Sequence, residues 1–161
     1  MKIARSYIII FLIASILLFS CTPAEADMTL EAAQELGERL IESGIFSEEM
    51  EMLGENSVGV IFPFLNDAEY IQSYCGISGV TADEILIVLA PDAEALDTYY
   101  NEMQSYLTGR TTQFAGYAPQ EVPKLEDALL IKDGLFLIFC ASTDCERAAD
   151  IVKDTKAEYV K

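Results

Sequence analysis

The sequence predicts an α+β fold in which a small antiparallel sheet packs against helices, and three observations carry that reading. Glu84-Ile85-Leu86-Ile87-Val88-Leu89-Ala90 is a nearly continuous apolar run bounded by loop residues, the pattern of a strand covered on both faces. Lys132-Asp133-Gly134 separates two further apolar runs, and Asp-Gly in such a position signals a hairpin. Apolar residues at helical spacing follow Pro91-Asp92 and again follow Thr143. The expected strands are therefore 84–90, 128–132 and 135–140, in the C-terminal order β-α-β-β-α.

In chain order, Lys2 and Arg5 precede an uninterrupted apolar run from Tyr7 to Phe19, then Ser20-Cys21-Thr22-Pro23. A basic start, a short apolar run and a small residue before a break describe a secretory signal over residues 1–20. The run is shorter than the roughly 20 apolar residues a spanning helix needs. Leu18-Phe19-Ser20-Cys21 resembles the bacterial lipobox, in which the cysteine receives a diacylglycerol and becomes the mature N-terminus; Phe19 departs from the residues usual there. Two acyl chains suffice for stable anchoring where one is marginal. Residues 21–28 read as a tether and 29–161 as one α+β domain.

Thr29 is placed to cap a helix with Leu30, Ala33, Leu36, Leu40 and Ile41 on one stripe and Gly44 as its stop. Ser47-Glu48-Glu49 suggests a second helical turn carrying Met50 and Leu53. Val58–Leu65, with Gly59 and Pro63, is either an edge strand or an extended packing segment. Asn66-Asp67 suggests the cap of a short helix through Tyr74 that ends near Gly76. Asp92 caps the long helix, whose stripe runs Leu96, Tyr99, Met103, Leu107, Arg110 and Phe114 to about Ala115. The run 135–140 is apolar on both faces and is expected in the centre of the sheet. Thr143-x-x-Glu146 matches a capping box before a last helix that buries Cys145, Ala148, Ala149 and Val152.

Composition excludes several function classes. Ten Lys and Arg against 27 Asp and Glu give a formal charge of −17, and two of those cations lie in the leader. Such a surface repels phosphate backbones, so no nucleic-acid partner is expected. Histidine is absent, which removes the commonest general base, the commonest zinc ligand and every Ser-His or Cys-His pair. No P-loop, dinucleotide-binding glycine pattern, nucleophile elbow or Ser-x-x-Lys occurs, and no cofactor, metal or catalytic residue is expected. Glu48, Glu49, Glu51 and Glu55 lack the spaced ligands and turn glycine of a calcium loop and read as a solvated face. Tyr99, Tyr100, Tyr106 and Tyr117 read as core edge in preference to a sugar- or peptide-binding face. Cys75, Cys140 and Cys145 read as small buried residues, with a Cys140–Cys145 bridge and a redox role as alternatives.

Several short motifs, in order, resemble a known family. Thr81-Ala82-Asp83-Glu84-Ile85, then Arg110 with Phe114, Tyr117-Ala118-Pro119, and Pro123-Lys124-Leu125-Glu126 before the Lys-Asp-Gly hairpin are similar to bacterial lipoproteins defined by the domain of unknown function numbered 4358. The resemblance spans Ile71 to Val152 together with the lipobox. It implies a Gram-positive, often anaerobic source and the outer face of a single membrane, and it carries no catalytic residue. Tyr74-Cys75-Gly76-Ile77 places a cysteine before the glycine of the usual Tyr-Gly-Ile, which makes Cys75 incidental, and the anaerobic source that the resemblance implies makes disulfides less expected.

The expected role is a non-catalytic binding or interaction module of the cell envelope, lipid-anchored through Cys21 at the outer face of the cytoplasmic membrane, with an envelope protein as partner. Its candidate interaction surface is Arg110, Tyr117, Pro119 and Lys124, where rare basic groups and an aromatic flank a bend. The alternatives are a carboxylate-dependent cell-wall hydrolase and an accessory solute-binding lipoprotein.

Overall fold

A computed structural model describes residues 26–159. The leader, Cys21 and the tether as far as residue 25 lie outside the described residues. Five antiparallel strands form one open sheet: β1 (Met50–Met52), β2 (Tyr70–Gly76), β3 (Glu84–Leu89), β4 (Leu129–Asp133) and β5 (Phe136–Ala141). Their order across the sheet is β1-β2-β3-β5-β4. Among the described residues five α-helices accompany them: α1 (Leu30–Glu42), α2 (Glu55–Ile61), α3 (Ala93–Tyr117), α4 (Val122–Glu126) and α5 (Cys145–Tyr159). Among the described residues no helix is long and apolar enough to cross a membrane. The fold is the α+β class the apolar runs predict.

Strand alternation divides the core in two. Leu86, Val88, Leu137 and Phe139 point to one face, where α3, α2 and the short turns beside them cover them. Ile85, Ile87, Phe136, Ile138 and Cys140 point to the other, where α1 and α5 cover them. Every one of these side chains is buried, and each such Leu, Ile or Phe contributes roughly 1.5–3 kcal/mol. β3 and β5 are central, as their unbroken apolar runs require.

Local signals place most of the C-terminal elements. The Thr29 hydroxyl accepts the Ala32 N–H at 3.2 Å and caps α1, and Gly44 follows at φ +75°. Asp92 accepts the Ala95 N–H at 2.8 Å and caps α3, which passes through Gly109 to Tyr117, slightly beyond Ala115. Gly134 turns the β4–β5 hairpin at φ +59°. Asp133 beside it accepts the Met28 N–H at 2.7 Å and pairs with Lys156 of α5 at 2.6 Å, which ties the start of the domain to the hairpin and the last helix. Met28, expected in the tether, is consequently buried.

Four local expectations fail in the region before β3 and at α5. Val58–Leu65 is neither strand nor extended segment: α2 ends at Ile61 and a 3-10 turn runs Pro63–Leu65, with Pro63 at the first position that tolerates a missing N–H. Residues 66–74 do not form a helix. They enter β2, because pairing with β3 along its whole length outweighs the local cap signal of Asn66-Asp67. Met50 lies in β1 instead of a helical turn, paired with Gly76. The cap of α5 is Asp144, whose carboxylate accepts the Arg147 N–H at 2.9 Å, since the Thr143 hydroxyl is turned inward to donate to the Ile45 carbonyl at 2.7 Å.

Candidate functional site

The polar groups of the domain concentrate where the β2–β3 loop enters β3. Asp83 and Glu84 precede an apolar strand and are 1% and 2% exposed, so each carboxylate needs an internal partner. Asp83 finds Lys124 of α4: Nζ lies 2.9 Å from Oδ1, while Oδ2 accepts the Ser47 N–H at 2.8 Å. The same ammonium reaches Glu121 at 2.7 Å and the Ser47 hydroxyl at 2.6 Å. Glu121 in turn accepts the Ala82 N–H at 3.0 Å. Burial lowers the affinity of Lys124 for its proton, but the bonds to Asp83 and Glu121 outweigh it and hold Lys124 above its ordinary range. Burial likewise pushes Glu121 up, and Lys124 with the Ala82 amide brings it below the usual carboxylate range.

Glu48 closes the outer side of this loop. It accepts the Thr81 hydroxyl at 2.5 Å, the Ser78 hydroxyl at 2.8 Å and the Ser78 N–H at 3.2 Å, and these bonds lower its pKa. A Cβ on Gly76 would come within 2.2 Å of the Glu48 carboxylate and 2.6 Å of the Thr81 hydroxyl, so glycine is required there for the two segments to meet. Glu48 is thus a structural ligand of the loop and not part of a free acidic face.

Glu84 takes the opposite side of the strand, beneath α3. Tyr106 donates its hydroxyl to Oε1 at 2.7 Å, and Arg110 Nη2 lies 3.6 Å from Oε2, an ion pair too long for a hydrogen bond. Glu84 Oε2 and Arg110 Nε have no hydrogen-bond partner among the described residues. Burial raises the Glu84 pKa above the carboxylate range, with Arg110 and Tyr106 opposing it only in part. Burial and the neighbouring Glu84 raise Tyr106 as well. Cys75 stands opposite Glu84 in the sheet register, and burial together with that carboxylate pushes its thiol pKa up. The Arg110 guanidinium lies 4.7 Å from the Phe114 ring centre, and the Phe114 and Tyr117 rings are 4.8 Å apart. A continuous stack therefore leads from the buried Glu84 to the half-exposed Tyr117.

These residues include the motifs that carried the resemblance. Residues 65–142 match the family described as a domain of unknown function, DUF4358. The DUF4358 match begins six residues before Ile71 and stops at Ser142, so it takes in all strands but β1 and leaves out α1, α2 and the closing helix α5. No curated protein and no solved structure matches the chain.

The four residues expected on an interaction surface divide into two kinds. Arg110 and Lys124 turn inward as the counter-ions of Glu84 and Asp83, with side chains 24% and 10% exposed. Tyr117 and Pro119 stay exposed at the corner between α3 and the following turn. Cys75, Cys140 and Cys145 are all free, so the Cys140–Cys145 bridge does not form. The Cys145 thiol donates weakly to the Cys140 carbonyl at 3.7 Å, and burial pushes the Cys140 thiol up to about 12. Sequence reading missed Ser47, Glu48, Asp83, Glu84 and Tyr106 as partners. A usable signal existed: two carboxylates leading into a strand apolar on both faces must be buried, and Tyr106 and Arg110 share a helix face four residues apart.

Proposed function

We propose that the protein is an extracytoplasmic lipoprotein, held at the outer face of the cytoplasmic membrane through Cys21, whose domain is a non-catalytic binding module for another envelope protein. The observation that carries the reading is that Arg110 and Lys124 are consumed internally while the corner they brace, Tyr117 and Pro119, is offered to solvent. A rigid aromatic over a fixed cation–ring stack suits recognition, because little side-chain entropy remains to be lost on contact. A carboxylate-dependent hydrolase requires two opposed carboxylates open to substrate. Asp83 and Glu84 are both enclosed and both paired, which favours the binding reading.

Mass spectrometry of the mature N-terminus tests the anchor: diacylglyceryl-Cys21 is expected, and an unmodified Cys21 on a membrane-bound or secreted chain removes that part of the proposal. A photo-crosslinking residue placed at Tyr117 in living cells tests the surface, with the exposed Lys153 on α5 as a positional control. A discrete crosslinked envelope protein is expected from position 117 alone. The same products from both positions overturn the placement.

A further inference from the structure

We propose that the cavity beneath α2 is a binding site for a small uncharged molecule, mostly apolar, bearing one hydrogen-bonding group received by Ser73. The site stands apart from the Tyr117 corner and needs neither that partner nor the lipid anchor. The cavity has a volume of about 310 Å³ and lies between α2, the Pro63–Leu65 turn and the β1–β2 edge of the sheet. That is the lower end of the range for ligand sites, with room for about ten non-hydrogen atoms. Its walls are largely apolar, from Leu53, Val58, Phe62, Leu65 and Ile71.

Ser73 supplies the polar contact. It pairs with Leu86 in the sheet, so its side chain points to the same face as Ile71 and Leu86, the face that α2 covers, and it lines the cavity. Ser73 is 2% exposed and its hydroxyl has no hydrogen-bond partner among the described residues. A buried hydroxyl left without a partner costs about 1–3 kcal/mol, and a ligand atom in the cavity would recover that bond. The single charged side chain on the lining is Glu55 at its exposed rim, and no Lys or Arg lines it. An anion would therefore enter against Glu55 and against a chain of charge −17, while a cation would lose its hydration among apolar walls. The uncharged class remains.

Gly59 provides a clean way to close the site. It lines the cavity, and a Cβ built there meets no atom within 4 Å, so a side chain can start from this position without a clash at its first atom. The test uses the intact lipid-anchored protein in nanodiscs, labelled at the isoleucine methyls. Ile71 lines the cavity on the face that α2 covers, and Ile138 lies in the core on the opposite sheet face as the internal control. The probes are p-cresol, toluene and p-toluate, at concentrations measured in the aqueous phase. p-Cresol is expected to shift the Ile71 methyl saturably without moving Ile138, and to bind at least tenfold more tightly than p-toluate. Ser73→Ala should bring p-cresol down to the toluene affinity, and Gly59→Phe should weaken the Ile71 response with the Ile138 signal unchanged. The proposal is overturned if Ile71 shows no saturable shift, if p-toluate binds as tightly as p-cresol, or if Ser73→Ala leaves p-cresol binding unaltered. It is equally overturned if the Ile71 signal follows protein concentration instead of probe, since a second copy would then be what covers the rim.

Discussion

The two faces of the sheet are built on different physical terms. The face under α1 and α5 is closed mainly by apolar contact, with Ala32, Ala33, Leu36 and Leu40 meeting Ile85, Ile87, Ile138 and Cys140. Its charged groups are the Arg39 pairs with Glu35 and Glu158, partly exposed at the rim, and the more enclosed Lys156–Asp133 pair at its edge. The face under α3 has an apolar centre too, yet it admits Glu84, Tyr106, Arg110 and the unpartnered Ser73. Beside them the Asp83–Lys124 pair locks the loop that enters β3. Most of that polar machinery lies inside the DUF4358 match, whereas α1 and α5 lie outside it. Buried charge is expensive unless partnered, so one face is tuned for specific local geometry and the other for cohesion.

The sharpest way to break this contrast is Lys124→Met. It leaves Asp83 buried with one amide and no cation, and a loss of about 4 kcal/mol in urea unfolding is expected. Adding Asp83→Asn should restore a measurable part of that loss, because the isolated charge is then gone; no recovery would mean that Lys124 acts through packing alone. Leu36→Ala probes the other face. Deleting a fully buried side chain should cost about 3 kcal/mol, and the cost should not vary between pH 5 and 8, since no titrating group is involved.

Glu84→Gln is expected to have the smallest effect on stability and to show itself through pH. The folded Glu84 pKa is raised above 4.5, so between 4.5 and the folded value the native state holds more protons than the unfolded chain. Wild-type stability from this group therefore falls as pH rises through that window. The glutamine variant lacks this fall, so it should gain steadily on the wild type from pH 4.5 upward, up to the folded pKa. Parallel stability curves for the two proteins would show that Glu84 is not desolvated in solution.

Much of the domain was legible locally. Thr29, Asp92 and Gly134 each act within four residues of themselves, so α1, α3 and the β4–β5 hairpin can be read from the chain alone. The region from Ser47 to Gly76 resisted such reading. Residues 66–74 carry a helix-cap signal, and the strand they form exists because β3 offers a full row of backbone partners from outside the segment. Thr143 is the same lesson in one residue: its hydroxyl matches a capping box, but Ile45, 98 residues away, claims it. The candidate site was half legible. Arg110, Tyr117, Pro119 and Lys124 stood out by type, while the fates of Arg110 and Lys124 depended on carboxylates 26 and 41 residues distant.

The sequence by itself determined the class of the fold, the central position of β3 and β5, and the absence of histidine chemistry, because hydrophobic periodicity and composition are properties of the chain. Only the tertiary structure decided that Asp83 and Glu84 are enclosed, that Arg110 and Lys124 face inward, and that Ser73 borders a cavity without a partner. Those outcomes follow from desolvation and from which groups lie within hydrogen-bond reach, and such distances are set by the packing of segments far apart in sequence.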